Sequence, residues 1–142
     1  MKMVKIGVFS LALAASVAAS AAEIAVIAGP RNFDPIDPDL NISLVKAQPG
    51  DTISWKNMST HNTKSIEVPE GAQHWEGKLN EDFHVTLDKP GAYVYECVPH
   101  ASMGMVGVVL VGDGKPANLD AINASSNPLV KRMGKKLAKM FP

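Results

Sequence analysis

From Glu23 to about Leu110 the chain runs in short apolar or alternating segments, each closed by turn residues. Ile24 to Ala28 reads as a first strand. Ile42, Leu44, Val45 and Ala47 form a mixed apolar pattern that suits a buried strand. Pro49-Gly50-Asp51 turns the chain into Thr52–Lys56, where Ile53 and Trp55 share a face. Ser65 to Val68 is a short strand ended by Pro69-Glu70-Gly71. Phe83, Val85 and Leu87 alternate with His84 and Thr86, the period-two pattern of a half-buried strand. After the turn Lys89-Pro90-Gly91, Tyr93, Tyr95 and Cys97 fall on one strand face, with Val94 and Glu96 on the other. Val106 to Val111 is apolar and β-branched, and Gly112-Asp113-Gly114 stops it. Strands this short, punctuated this often, predict an all-β sandwich or barrel.

Three stretches break the pattern. Gly29 to Leu40 carries three prolines and three aspartates and reads as an irregular connection. Ala72 to Asn80 is polar and is expected to hold a helical turn. Beyond Pro116 the period changes to that of helices. Ala117–Ala124 forms a short one, and Asn127 offers an N-cap before Pro128 at the first helical position of a second. Leu129, Met133, Leu137 and Met140 then recur at near-helical spacing, an apolar stripe expected to pack on the sandwich.

The first residues, Met1-Lys2-Met3-Val4-Lys5, precede an apolar run from Ile6 to about Ala19 and the small residues Ala19, Ser20 and Ala21. This is the form of a secretory signal peptide cleaved near Ala21/Ala22, and the apolar run is short for a membrane span. The expected organisation is therefore residues 1–21 as signal peptide, 22–114 as sandwich and 115–142 as helical tail. Cleavage removes Lys2 and Lys5, leaving twelve basic residues against fourteen acidic. Five of the twelve (Lys131, Arg132, Lys135, Lys136 and Lys139) lie from Pro116 onward, opposite the apolar stripe of the tail. A net acidic chain without aromatic platforms among basic residues excludes nucleic-acid binding.

Cys97 is the only cysteine. In an exported chain it has no disulfide partner within the molecule, so it is buried, paired to another molecule, or ligating something. It opens Cys97-Val98-Pro99-His100-Ala101-Ser102-Met103-Gly104-Met105, a C-x2-H-x4-M spacing between two strands. Two imidazoles and a thiolate in a trigonal set, with a weak axial thioether, form the ligand chemistry of a blue-copper site. His61, from a separate loop, supplies the second imidazole. The candidate set is His61, Cys97, His100 and axial Met105, holding one type 1 copper that cycles between Cu(I) and Cu(II). Met103 competes for the thioether role at a less suitable spacing. Asn62 is placed to brace the two ligand loops, and His74 and His84 read as surface residues.

Rival readings are weaker. A Cys97 nucleophile with His100 as base lacks an orienting third group, so the chain is not expected to be an enzyme. A structural zinc site leaves Met105 without purpose. A protein that delivers or stores copper is the competing function; such carriers favour open, methionine-rich or paired-thiol sites.

The stretches Asp51–Trp55, His61-Asn62, Gly91–Cys97 and above all Cys97–Gly112 resemble the small blue-copper cupredoxins, and within them the pseudoazurin group. The run Met103–Val109, followed by Pro116-Ala117-Asn118-Leu119 and two terminal helices, carries that narrower resemblance. It covers about Pro49 to Ile122. The resemblance implies a cupredoxin-like Greek-key β-sandwich with two C-terminal α-helices and a monomeric periplasmic electron carrier. It also implies c-type cytochromes and copper-containing nitrite or nitrous oxide reductases as partners. Arg31–Leu40 departs from the group's pattern, and its usual ring of lysines is not evident in this acidic body. Electron transfer is expected through the edge of His100, with Pro99, Ala101 and Met103 as a docking patch.

Overall fold

A computed structural model describes residues 19–142. All but the last three residues of the expected signal peptide lie outside that range. No helix among the described residues is long and apolar enough to cross a membrane. Among the described residues nine strands form two sheets, and two α-helices follow. The first sheet has the order β2-β1-β5-β7, from Phe33–Asp34, Glu23–Ala28, Asp51–Lys56 and Phe83–Leu87. The second has the order β3-β4-β9-β8-β6, from Ile36–Asp37, Ile42–Ala47, Val106–Val111, Gly91–Glu96 and Lys64–Glu67. β1 runs parallel to β5 and β4 parallel to β9, while the remaining neighbours are antiparallel. The expected all-β sandwich is what the chain forms.

Two expectations need correction. Gly29–Leu40 is not wholly irregular, because it contributes β2 to one sheet and, beyond Pro35, β3 to the other. It is thus a crossing between layers. Each strand has two residues, too few to show a period. Ala72–Asn80 forms no helix; it is an irregular strap that bridges from Glu76 to Lys64 and ends in a turn at Leu79-Asn80. Trp75 anchors the strap. It is buried, with its indole N–H donating to Thr63 Oγ1 at 3.1 Å.

Strand alternation divides the apolar residues into two cores. Tyr93, Tyr95, Cys97, Met105, Val109 and Val111 face inward, against Phe33, Ile53, Trp55 and Trp75 of the first core. Ala92, Val94, Val106, Val108 and Leu110 face the other way, onto the helices. β9 is therefore buried on both faces, which accounts for its unbroken apolar sequence.

The helices α1 (Leu119–Ala124) and α2 (Pro128–Leu137) cover that outer face. Asn127 caps α2 by accepting from the N–H of Leu129 at 2.9 Å, with Pro128 following at the first helical position. Val130, Met133 and Leu137 are fully buried, joined by Leu119 and Ile122 from α1. Burying one such side chain contributes about 1.5–3 kcal/mol. These side chains hold the tail to the sandwich, with Leu129 and Met140 of the expected stripe only partly buried against them.

Candidate metal centre

Cys97 follows directly on β8, and Met105 directly precedes β9. The Cys97 N–H donates to the Met105 carbonyl at 3.0 Å, so the two ends of the loop are pinned side by side. Between them Val98–Met103 coil into a 3-10 turn with Pro99 near its start. Proline suits this place because it fixes φ and the N–H it lacks has no partner in a first turn. Gly104 ends the turn at φ +81, a left-handed conformation that glycine adopts without strain. The Met105 N–H then returns to the His100 carbonyl at 3.2 Å. His100 is thereby fixed by the chain on both sides of it.

His61 arrives from a separate loop, 36 residues before Cys97. Its loop is held by the strap, through Asn80 N–H to the His61 carbonyl at 3.0 Å and Thr60 N–H to Asn80 Oδ1 at 2.7 Å. Asn62 joins the two ligand loops: its Oδ1 accepts from the Val98 N–H at 2.8 Å, and its Nδ2 donates to the Gly77 carbonyl at 3.2 Å. The bracing role expected of Asn62 is present. Trp75, Gly77 and Asn80 were not singled out from the sequence. A tryptophan in an otherwise polar stretch was the signal available, since so large an apolar group is seldom left in water.

These constraints bring three donors together. Cys97 Sγ lies 3.6 Å from His61 Nδ1 and 3.3 Å from His100 Nδ1, and the two imidazole rings are 4.8 Å apart. All three donor atoms fall within 4.8 Å of one another. Bonds of about 2.0 Å to nitrogen and 2.3 Å to sulfur, meeting at trigonal to tetrahedral angles, separate the two ligand atoms by roughly 3.5 Å. The donors are spaced for one small ion. Met105 is fully buried beside Cys97, whereas Met103 is 52% exposed. His74 and His84 are exposed and stand outside the cluster, His74 contacting Ser65 Oγ at 3.0 Å.

The electrostatics suit a metal. Burial pushes the His61 pKa down, and the neighbouring His100 adds to the effect, so its ring is held neutral as a ligand must be. Burial pushes the Cys97 thiol up, against the opposing pull of the Asn62 and His100 backbone N–H groups. An apolar pocket without an ion therefore favours the thiol. A bound cation reverses that preference, because a coordinating thiol is deprotonated. Soft sulfur together with two imidazoles, in a frame fixed by strands, selects copper rather than a hard cation.

A two-sheet sandwich carrying this donor set at the mouth of its β8–β9 loop defines a cupredoxin, a small protein holding one type 1 copper. Residues 39–112 match the family of copper binding proteins described as plastocyanin/azurin. The pseudoazurin of Paracoccus pantotrophus is 40% identical over 103 residues, 69% of this chain and 70% of that one. That of Methylorubrum extorquens is 36% identical over 138 residues, 93% of this chain and 88% of the relative. A solved pseudoazurin structure from Sinorhizobium meliloti superposes with a TM-score of 0.70 at 35% identity, covering 84% of this chain and 96% of that one. The chain belongs to the pseudoazurin family.

Proposed function

We propose that His61, Cys97 and His100 would hold one copper as its strong ligands, with the Met105 thioether as a weaker one. The exported chain then acts in the periplasm as a monomeric carrier of single electrons. The observation that supports this most directly is the convergence of two imidazoles and one thiolate, from two loops, within 4.8 Å. When bound, copper supplies a one-electron couple. The hydrogen bonds that fix the two ligand loops would limit their movement between oxidation states and so keep the reorganisation on transfer small. Cys97 and His61 are closed off in the interior, and His100 is partly exposed. With copper bound, the His100 edge would be the exposed route for outer-sphere transfer, and Pro99, Ala101 and Met103 beside it would form the docking patch.

Partners are proposed by chemistry and family alone: c-type cytochromes on one side, copper-containing nitrite or nitrous oxide reductases on the other. Lys64, near the His61 loop, is paired with Glu76 at 3.4 Å, and Lys56 is exposed at the end of β5.

Copper loading tests the assignment. The purified protein should develop an intense visible thiolate-to-copper band, and Cys97→Ser should abolish it. Loading without such a band would return Cys97 to the role of a buried thiol.

A further inference from the structure

We propose that the hollow between the Gly29–Leu40 crossing and α2 is a binding site for a small oxyanion of the phosphate or polycarboxylate class. The cavity is about 340 Å³, room for an anion larger than a single phosphate. Arg31 lines it from the crossing, and Arg132 and Lys136 line it from α2, with Asn32 and Asn41 as further polar groups. No carboxylate is among the lining residues. The one ion pair among the described residues joins Lys64 to Glu76, so none of these three cations is paired.

Two of the three, Arg132 and Lys136, are positioned by backbone contacts, while Arg31 is exposed at the rim. An Arg132 Nη donates to the Gly104 carbonyl at 3.1 Å, and Lys136 Nζ donates to the Leu40 carbonyl at 3.0 Å. Each head group keeps further N–H donors after that bond, since guanidinium has five and ammonium three. Three like charges held around a concave wall repel one another and focus a positive potential into the space between them. An oxyanion relieves the repulsion and can take two parallel bonds from an arginine. The site lies where the basic tail meets a body that is net acidic. It is also separate from the His100 patch, although Gly104 belongs to both neighbourhoods. Gly104 immediately precedes Met105, so an anion that draws on Arg132 acts on the end of the ligand loop.

The test is titration of the reduced, copper-loaded protein with pyrophosphate and, separately, with citrate, against sodium chloride at matched ionic strength. Heat of binding and backbone amide shifts are read together. Saturable one-to-one binding of either anion, with shifts at Arg31, Gly104 and Arg132, is expected, and the tighter of the two identifies the source as phosphate or carboxylate. Arg31→Gln and Lys136→Gln should each weaken it about tenfold, as loss of one charge-assisted bond implies. Lys131→Gln, an equal change of charge on α2 outside the cavity, should leave the affinity unchanged. Absence of saturable binding by both anions, or equal weakening by Lys131→Gln, would overturn the proposal. The readouts are heat and amide shifts, so a negative result here leaves the copper assignment untouched, and loss of the visible band would leave the anion site standing.

Discussion

Within nine residues the chain passes from the buried core to solvent and back. Cys97 and Met105 are fully buried at the two ends of the loop, while Val98 is 46% and Met103 is 52% exposed between them. The ends are joined by a backbone hydrogen bond and rooted among the aromatic rings of the inner core. The tip touches solvent and carries only uncharged side chains around His100. Binding a metal tightly and giving up an electron quickly call for opposite surroundings. On the function proposed above, the loop would meet both demands by separating root from tip, with His100 between them.

Changes at the root should therefore affect the whole protein, and changes at the tip only the exchange with a partner. Gly107→Ala tests the root most severely. Gly107 lies opposite Tyr95 in the ladder, and a Cβ at this position would collide with the Tyr95 ring. That ring is packed edge-on to Trp55 and Phe33, with centroids 5.1 and 5.0 Å away. Overpacking of this kind costs about 1–3 kcal/mol, to be measured by chemical denaturation, and the visible band should shift as β8 and β9 are forced apart.

Asn62→Ala comes next. It removes the joint between the two ligand loops and leaves the Val98 N–H and Gly77 carbonyl without their partner, at a cost of about 1–3 kcal/mol. Faster loss of copper to a chelator is the companion measurement. A stable variant with unchanged metal exchange would show that the strap alone holds His61.

Met103→Glu probes the tip. Stability should change by no more than about 0.5 kcal/mol, as for other surface substitutions, and the visible spectrum should not move. Transfer to a partner should slow about tenfold, since a charge at the rim of an interface acts mainly on encounter. Stopped-flow reduction would detect it. An unaltered rate would place the docking surface elsewhere.

Asp51 serves as a control remote from both root and tip. Its carboxylate accepts from the Gln48 N–H at 2.7 Å and the Ala22 N–H at 2.8 Å, and these bonds lower its pKa. A carboxylate lowered on folding stabilises above its unfolded pKa, and that contribution is lost as pH falls through the folded value. Asp51→Asn should thus be less stable than the parent at neutral pH. The gap should close in acid, and the copper spectrum should be the same throughout. A gap independent of pH would assign the role of Asp51 to geometry rather than charge.

The parts of this design that were legible in the sequence are those written in periodicity or close spacing. Tyr93, Tyr95 and Cys97 declare their common face by alternation, and the Cys97–Met105 spacing declares the ligand loop. The cap at Asn127 and the stripe on α2 follow from local rules as well. The strap was not legible, because its order comes from side chains bonding to distant backbone, as Asn80 does to Thr60 and Asn62 does to Gly77 and Val98. The crossing at Gly29–Leu40 escaped for a different reason. Its strands exist only because two sheet edges stand ready to pair with them, and a two-residue element has no pattern of its own. The cation-lined hollow is likewise a product of assembly, since Arg31 and Arg132 are brought together by the fold alone.

The parity of β8 limits which insertions and deletions the lineage can accept. Because Tyr93, Tyr95 and Cys97 share one face, removing a single residue within Gly91–Glu96 would turn the thiol toward the helices, and no later side chain could substitute for it. The 3-10 turn has no such parity to keep. Its ends are tied together by the Cys97–Met105 bond, so residues added or lost between them alter the tip without disturbing the strands. Lineages of this fold should therefore vary in length between cysteine and methionine, and hold the strand that leads into the cysteine constant.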